Sequence, residues 1–279
     1  MVDLLNITRK FSLAGNVVSA EPFGSGHIND TFRVKTDANV DYILQRINHF
    51  VFTNPQQVMD NHVAAGKYLR GKGHHLIVDP IPTVDNKYLM GDFESGFWRL
   101  FPFLAGYKAF ETLNDTHAAF QCSLAFGKFG QALSGMDTNL IGETIPGFHD
   151  TPQRFNVYED SLNQDSRRRA ATCQPEIEKI DSFQYLVEEH LQLKNTLQKR
   201  IIHNDTKVNN VMLNESDPDD FRIIDLDTMM PDYVIFDYGD MIRTGICDAA
   251  EDEHDLDSIF IRMDSVSYTH LRAHETTAS

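Results

Sequence analysis

A chain of 279 residues with 25 basic and 41 acidic groups carries a formal charge of −16, which argues against nucleic acid and anionic membrane surfaces as partners. Its 41% hydrophobic and 24% charged fractions are those of an ordinary globular protein with one large or two modest domains. Cys122, Cys173 and Cys247 are odd in number and lack Cys-x-x-Cys spacing, which points away from disulfides and structural zinc. No apolar run reaches the roughly 18 residues of a membrane span, and the N-terminus lacks a signal pattern, so a cytoplasmic location is the expectation.

The first ninety residues read as strands, a helix, then strands. "NVVSAEPF", "TFRVKT" and "DYILQRI" are β-rich and separated by the turn-rich "GSGHIND" and "DANV". "NPQQVMDNHVAAGKYLRGKG" predicts a helix with Asn54 as N-cap, Pro55 at its first position and Gly71 as its stop. "KYLM" and "GFWRLFPFL" complete five short strands around one helix, a small sheet domain ending near residue 104.

The pattern then changes. In "THAAFQCSLAFGKFGQALSG", Ala119, Cys122, Phe126, Phe129 and Leu133 recur every three or four positions, an amphipathic helix. A second helix is expected over 148–173, capped by Asp150 or Thr151 with Pro152 just inside. A third covers "SFQYLVEEHLQLKNTL", with a stripe of Phe183, Leu186, Leu193 and Leu197 interrupted by a structural His190. Arg167–Arg169 and the acidic run at 251–257 read as solvated faces.

Residues 201–230 carry the chemistry. "VML" (211–213) and "FRII" (221–224) are apolar strands flanking the polar "NESDPDD", which predicts a hairpin. A hairpin brings the residue before its first strand beside the residue after its second. Those are Asn210 and Asp225, with Asp205 in the loop leading in. An amide oxygen and carboxylates converging at a strand end form hard-oxygen ligation suited to Mg2+. His203, Asp205, Asn210 and Asp225 also keep the protein-kinase spacing, His-x-Asp-x-x-x-x-Asn and then a metal-binding Asp after a short hairpin.

"HNDTKVNN", "IIDLDT" and "FDYGD", with "FGSGHINDTFRV" and "YILQRIN", resemble the aminoglycoside phosphotransferase and choline kinase superfamily from about residue 11 to about 260. Within it they are most similar to N-acetylhexosamine 1-kinases. The resemblance implies an α+β, bilobal protein-kinase-like fold. A small antiparallel-sheet N-lobe (1–104) would bind nucleotide, and a mainly helical C-lobe (105–264) would carry catalysis. It further implies ATP and Mg2+ as cofactors and phosphorylation of a small hydroxyl compound, foremost the anomeric oxygen of N-acetylglucosamine or N-acetylgalactosamine. Choline, homoserine and aminoglycoside acceptors are the alternatives.

On that pattern the catalytic candidates are Asp205, as general base, and His203, which braces its loop. Asn210 and Asp225 are the metal candidates. Asp237 and Asp240 of "FDYGD" are expected to cap and brace. Asp227 has no counterpart in the metal pattern and either orients the loop or faces solvent. The nucleotide candidates are Gly24, Ser25, Gly26 and His27 over the phosphates, Gln45 or Arg46 as the phosphate clamp, and Phe101, Phe103 and Leu104 at the hinge. Two departures stand out: no lysine ends "DYILQRI", and the following helix offers only Asp60 or Asn61 where the pattern has a glutamate.

Two rival readings differ in kind. A haloacid-dehalogenase-type phosphatase would make Asp225 a nucleophile, but only 52 residues follow Asp227, too few for the rest of its domain. A kinase-like module could bind ligand without turnover. From about Ser265, "SVSYTHLRAHETTAS" resembles translated sequencing-adapter read-through, so residues 265–279 are set aside as a non-native tail. The expectation is a C-lobe cut near Asp264, with apolar surface left uncovered.

Overall fold

The computed structural model describes residues 3–24, 26, 28–110, 116–217, 219–246 and 254–255. Ser25, His27, Cys247, most of the acidic run and the tail therefore lie outside the described residues. The described chain forms two compact units, one built from residues 1–144 and 200–279 and the other from 145–199.

In the first unit a short helix, α1 (Leu4–Thr8), precedes β1 (Val17–Pro22), β2 (Asp30–Thr36) and β3 (Asp41–Ile47). Helix α2 (Pro55–Gly71) starts where expected, because Asn54 accepts the Gln57 N–H at 3.2 Å and Pro55 needs no intrahelical donor. Strands β4 (Met90–Asp92) and β5 (Gly96–Pro102) follow, giving a five-stranded antiparallel sheet in the order β1-β2-β3-β5-β4.

β4 begins at Met90 rather than covering "KYLM". Its register is fixed by the tight β4–β5 turn, in which Asp92 accepts the N–H groups of Glu94 and Ser95. Gly91 and Gly96 have positive φ, and a Cβ on Gly91 would meet the Gly96 carbonyl at 1.9 Å, so this turn admits no side chain there.

Side chains alternate across the sheet. Val34, Leu44, Trp98 and Leu100 face one side and join Phe11, Val17 and Tyr42 in one core. Gln45 and Arg99 face the other side. The larger core is built on α2 and α3 (Thr116–Leu133), with β6 (Tyr107–Lys108) leading in. Ala119, Cys122, Phe126, Phe129 and Leu133, the stripe seen in the sequence, are all buried there.

The second unit holds α4 (Thr151–Gln164), α5 (Gln174–Asp181) and α6 (Tyr185–Thr196). α4 is capped by Asp150, which accepts the Gln153 N–H at 3.1 Å. It ends at Gln164 instead of running to 173. Asp165 turns left-handed at φ 27° and its carboxylate takes the Arg169 N–H at 2.8 Å, starting a new local structure.

The chain returns to the first unit through β7 (Arg200–Ile202), then β8 (Val211–Asn214) and β9 (Phe221–Ile223), β10 (Met230–Asp232) and α7 (Val234–Ile246). β8 and β9 form the expected hairpin, with β6 added at its outer edge, while β10 pairs with β7. Those last two pairings join segments distant in sequence. The fold is mixed α and β, with an antiparallel sheet in the N-terminal part and a helical remainder. Among the described residues no helix is long and apolar enough to cross a membrane.

Candidate functional site

The hairpin β8–β9 sets the geometry. Val211 pairs with Ile223, and one step further the Ile224 N–H donates to the Asn210 carbonyl at 3.0 Å, so Asn210 and the segment entering Asp225 lie side by side. The Asn210 amide nitrogen donates to the Asp205 carbonyl at 2.9 Å and to Asp205 Oδ2 at 3.2 Å. Asp205, Asn210 and Asp225 thus gather at one end of the hairpin. Asp225 adopts φ 58°, ψ 58°, a left-handed conformation that Asp tolerates better than most residues and that turns its side chain out of the strand. Desolvation by the surrounding protein, then the like charge of Asp227, pushes the Asp225 carboxyl up to about 6, with Asp205 adding repulsion. Asp225 itself is solvent-exposed, whereas Leu226 and Asp227 beside it are buried.

The loop carrying Asp205 is braced from below. His203 is fully buried, its Nε2 bonded to the Ile224 carbonyl at 3.0 Å and its Nδ1 accepting the Asp205 N–H at 3.3 Å. Those two partners define one neutral tautomer, with the proton on Nε2, and leave neither ring nitrogen for proton transfer. Phe126 and Phe129 meet the ring edge-on at centroid distances of 5.4 and 6.0 Å.

Asp237 accepts the His203 N–H at 3.0 Å and the Asn204 N–H at 2.7 Å. Burial pushes its carboxyl up to about 6 even against those two donors. Thr206 Oγ1 donates to the Asp237 carbonyl at 2.6 Å. The acidic "FDYGD" segment therefore caps the loop, with Arg243 closing on Asp240 at 2.8 Å.

Lys207 was not singled out in the sequence, though its position was legible: a cation two residues beyond Asp205 within "HNDTKVNN". Its Nζ lies 3.3 Å from Asp205 Oδ1, so the two oxygens of Asp205 face an ammonium and an amide.

On the N-terminal sheet the structure separates Gln45 from Arg46. Arg46 lies on the far face, 3.6 Å from Asp30 and with its guanidinium 6.0 Å from the Trp98 ring centre. Gln45 faces the same side as Asp227, and its cross-strand neighbour on β5 is a cation, Arg99. Arg99 Nε donates to Gln45 Oε1 at 3.0 Å, and Arg99 Nη1 and Nη2 donate to Asp227 Oδ1 and Oδ2 at 2.5 and 3.0 Å. Asp227 is thus buried rather than solvated.

Helix α2 supplies no carboxylate here. Asp60 is exposed and takes the Gln56 amide, while the buried Asn61 donates to the carbonyls of Gly142 and Met229.

Gly24 adopts φ 82° and needs glycine for that reason, whereas a Cβ on Gly24 or Gly26 would meet open space. At the end of β5 and just beyond, the Phe101 ring lies against His62, and Phe103 carries the Arg33 guanidinium 4.0 Å from its centre with Phe23 edge-on. The Phe103 N–H donates to the Asp41 carbonyl at 3.0 Å, and the Leu104 carbonyl accepts the Tyr107 N–H at 3.4 Å.

Solved structures with similar folds include spectinomycin phosphotransferase in complex with ADP and spectinomycin, 14% identical over 84% of this chain and 71% of that one, TM-score 0.60. Amicoumacin kinase in complex with AMP-PNP, Ca2+ and Ami is 13% identical over 98% and 77%, TM-score 0.62. An aminoglycoside phosphotransferase from Alicyclobacillus acidocaldarius is 15% identical over 85% and 69%, TM-score 0.59. At these identities the likeness is one of fold, the kinase-like fold of these enzymes. The APH profile, the phosphotransferase enzyme family, matches residues 19–260, nearly the whole chain, so the protein belongs to that family and is a small-molecule phosphotransferase.

Proposed function

We propose that the chain is an ATP- and Mg2+-dependent kinase that phosphorylates the anomeric hydroxyl of an N-acetylhexosamine, N-acetylglucosamine or N-acetylgalactosamine, giving the 1-phosphate. What carries the kinase reading is the meeting of Asp205, Asn210 and Asp225 at one end of the β8–β9 hairpin. What supports the sugar is the resemblance of "HNDTKVNN", "IIDLDT" and "YILQRIN" to N-acetylhexosamine 1-kinases. Residues 1–104 act in this reading as the nucleotide lobe and 105–264 as the catalytic lobe.

The donor set fits a magnesium ion. It consists of hard oxygens, the Asn210 amide nitrogen is already engaged by Asp205 so that its carbonyl oxygen is the end left for a cation, and three carboxylates crowd the same floor. Asn210 and Asp225 would hold the ion, which when bound neutralises the phosphates of ATP against an otherwise acidic cleft. Asp205 orients the acceptor hydroxyl and takes its proton at the carboxylate, a role its loop supports by fixing both oxygens. Lys207 sets a positive charge beside the transferred phosphoryl group. His203 holds the loop.

The reading is tested by a screen of hydroxyl acceptors through coupled ADP release, with 31P NMR of the product. An N-acetylhexosamine 1-phosphate is the expected product. Turnover of choline, homoserine or an aminoglycoside, with none of either N-acetylhexosamine, would replace the sugar while keeping the kinase. Phosphate release from sugar phosphates without ATP would remove the kinase as well.

A further inference from the structure

We propose that Arg99 and Asp227 are positioning residues that stand in for the absent strand lysine and helix carboxylate, and that metal–nucleotide binding depends on their ion pair while acceptor binding does not. The inference rests on the kinase reading above and goes beyond it in naming a device the family pattern does not supply.

The position where β3 would carry a lysine is the neutral Gln45. Its register partner across the β3–β5 ladder is Arg99, so the positive charge has moved one strand over. The acid has moved too, from α2 to the turn after β9. Both side chains of the pair are 2% exposed, and the contact is bidentate.

A buried ion pair of this kind is a poor source of stability, because desolvating both charges offsets their attraction and an apolar pair of similar volume does as well or better. What it supplies is geometry. Asp227 lies two residues beyond Asp225, and its Oδ2 also accepts the Asn29 amide at 2.8 Å. Asn29 Oδ1 in turn accepts the Asn48 N–H at 2.9 Å.

One carboxylate therefore joins three parts: the sheet through Arg99, the stem of the β1–β2 loop through Asn29, and the turn bearing Asp225. Arg99 has Nε on Gln45 and both terminal nitrogens on Asp227, so it serves the phosphates through the turn it holds rather than by touching them.

The test compares the parent chain with Asp227→Asn, Arg99→Lys, Asn29→Ala and the apolar double variant Arg99→Met with Asp227→Leu. Calorimetry measures affinity for Mn2+ with a non-hydrolysable ATP analogue, thermal denaturation measures folding, and acceptor KM is read wherever turnover persists. In the folded double variant, metal–analogue affinity is expected to fall about tenfold or more, the usual cost of losing the groups that orient a metal ligand, with acceptor KM within about twofold of the parent. Asn29→Ala, a half-buried change, shifts the same quantity in the same direction by less.

A folded double variant that binds the metal–analogue pair as the parent does overturns the proposal. So does an equal rise in acceptor KM. If the parent binds the pair but phosphorylates nothing, the proposed activity fails and the affinity comparison still decides the positioning role. A parent that binds no metal–analogue pair overturns both.

Discussion

Residues 200–240 and residues 145–199 are both polar-rich segments, yet one is braced from below and the other is not. In the first, the loop bearing Asp205 and the turn bearing Asp227 rest on partners: buried His203 under Asp205, half-buried Asp237 under His203 and Asn204, and buried Arg99 under Asp227. In the second, none of the three helices buries a residue. Phe183, Leu186 and Leu193 are 43, 44 and 48% exposed. Helices α4–α6 hold together instead through local bonds, such as the Asp150 cap and the Tyr158 hydroxyl on Asp181 at 2.9 Å. An amphipathic period therefore predicts a helix, and separately predicts a face that packs. Only the first half of that inference holds for 182–197.

The contrast can be broken or sharpened by measurement. Asp205→Ala should lower kcat by about 10^2–10^4-fold, the range for a general base, while leaving the melting temperature unchanged, because the loop's bracing runs through His203 and Asp237. Phe129→Ala, in the core under His203, should cost about 3–5 kcal/mol in denaturant unfolding.

His62, on α2, gives a pH signature for the first unit. It is 5% exposed, its Nε2 bonds the Val78 carbonyl at 2.8 Å, and burial holds its pKa down at about 4 against an ordinary 6.5. The ring is neutral in the fold and charged when unfolded below 6.5. Its contribution is thus intact above pH 6.5 and is lost as pH falls toward 4, a change on the order of 3 kcal/mol. His62→Gln should flatten that slope in pH-dependent unfolding. Leu193→Ser should change stability by less than about 0.5 kcal/mol, and a larger loss would show that the exposed stripe packs in solution.

Much of the site was legible because it is local. The hairpin, the Asn54 and Asp150 caps and the convergence of Asn210 with Asp225 all follow from short stretches and turn chemistry. Arg99 was not legible, since its role depends on the register of β3 with β5 and on a partner 128 positions away. The local sequence around Asp227 does not decide its surroundings for the same reason. The break at Asp165 was missed because a left-handed aspartate carries no glycine to mark it. Lys207 is the opposite case, a cation whose pairing with Asp205 follows from a separation of two residues.

Alternation along β5 has a practical outcome. Trp98, the single tryptophan of the chain, is 2% exposed and points into the core opposite the face of Arg99. Its emission is a built-in optical label for the sheet. Unfolding of residues 17–102 should red-shift it, whereas melting of the helices between 145 and 199 should register only as lost far-ultraviolet dichroism. Recording both signals in one titration separates the two units without any added probe.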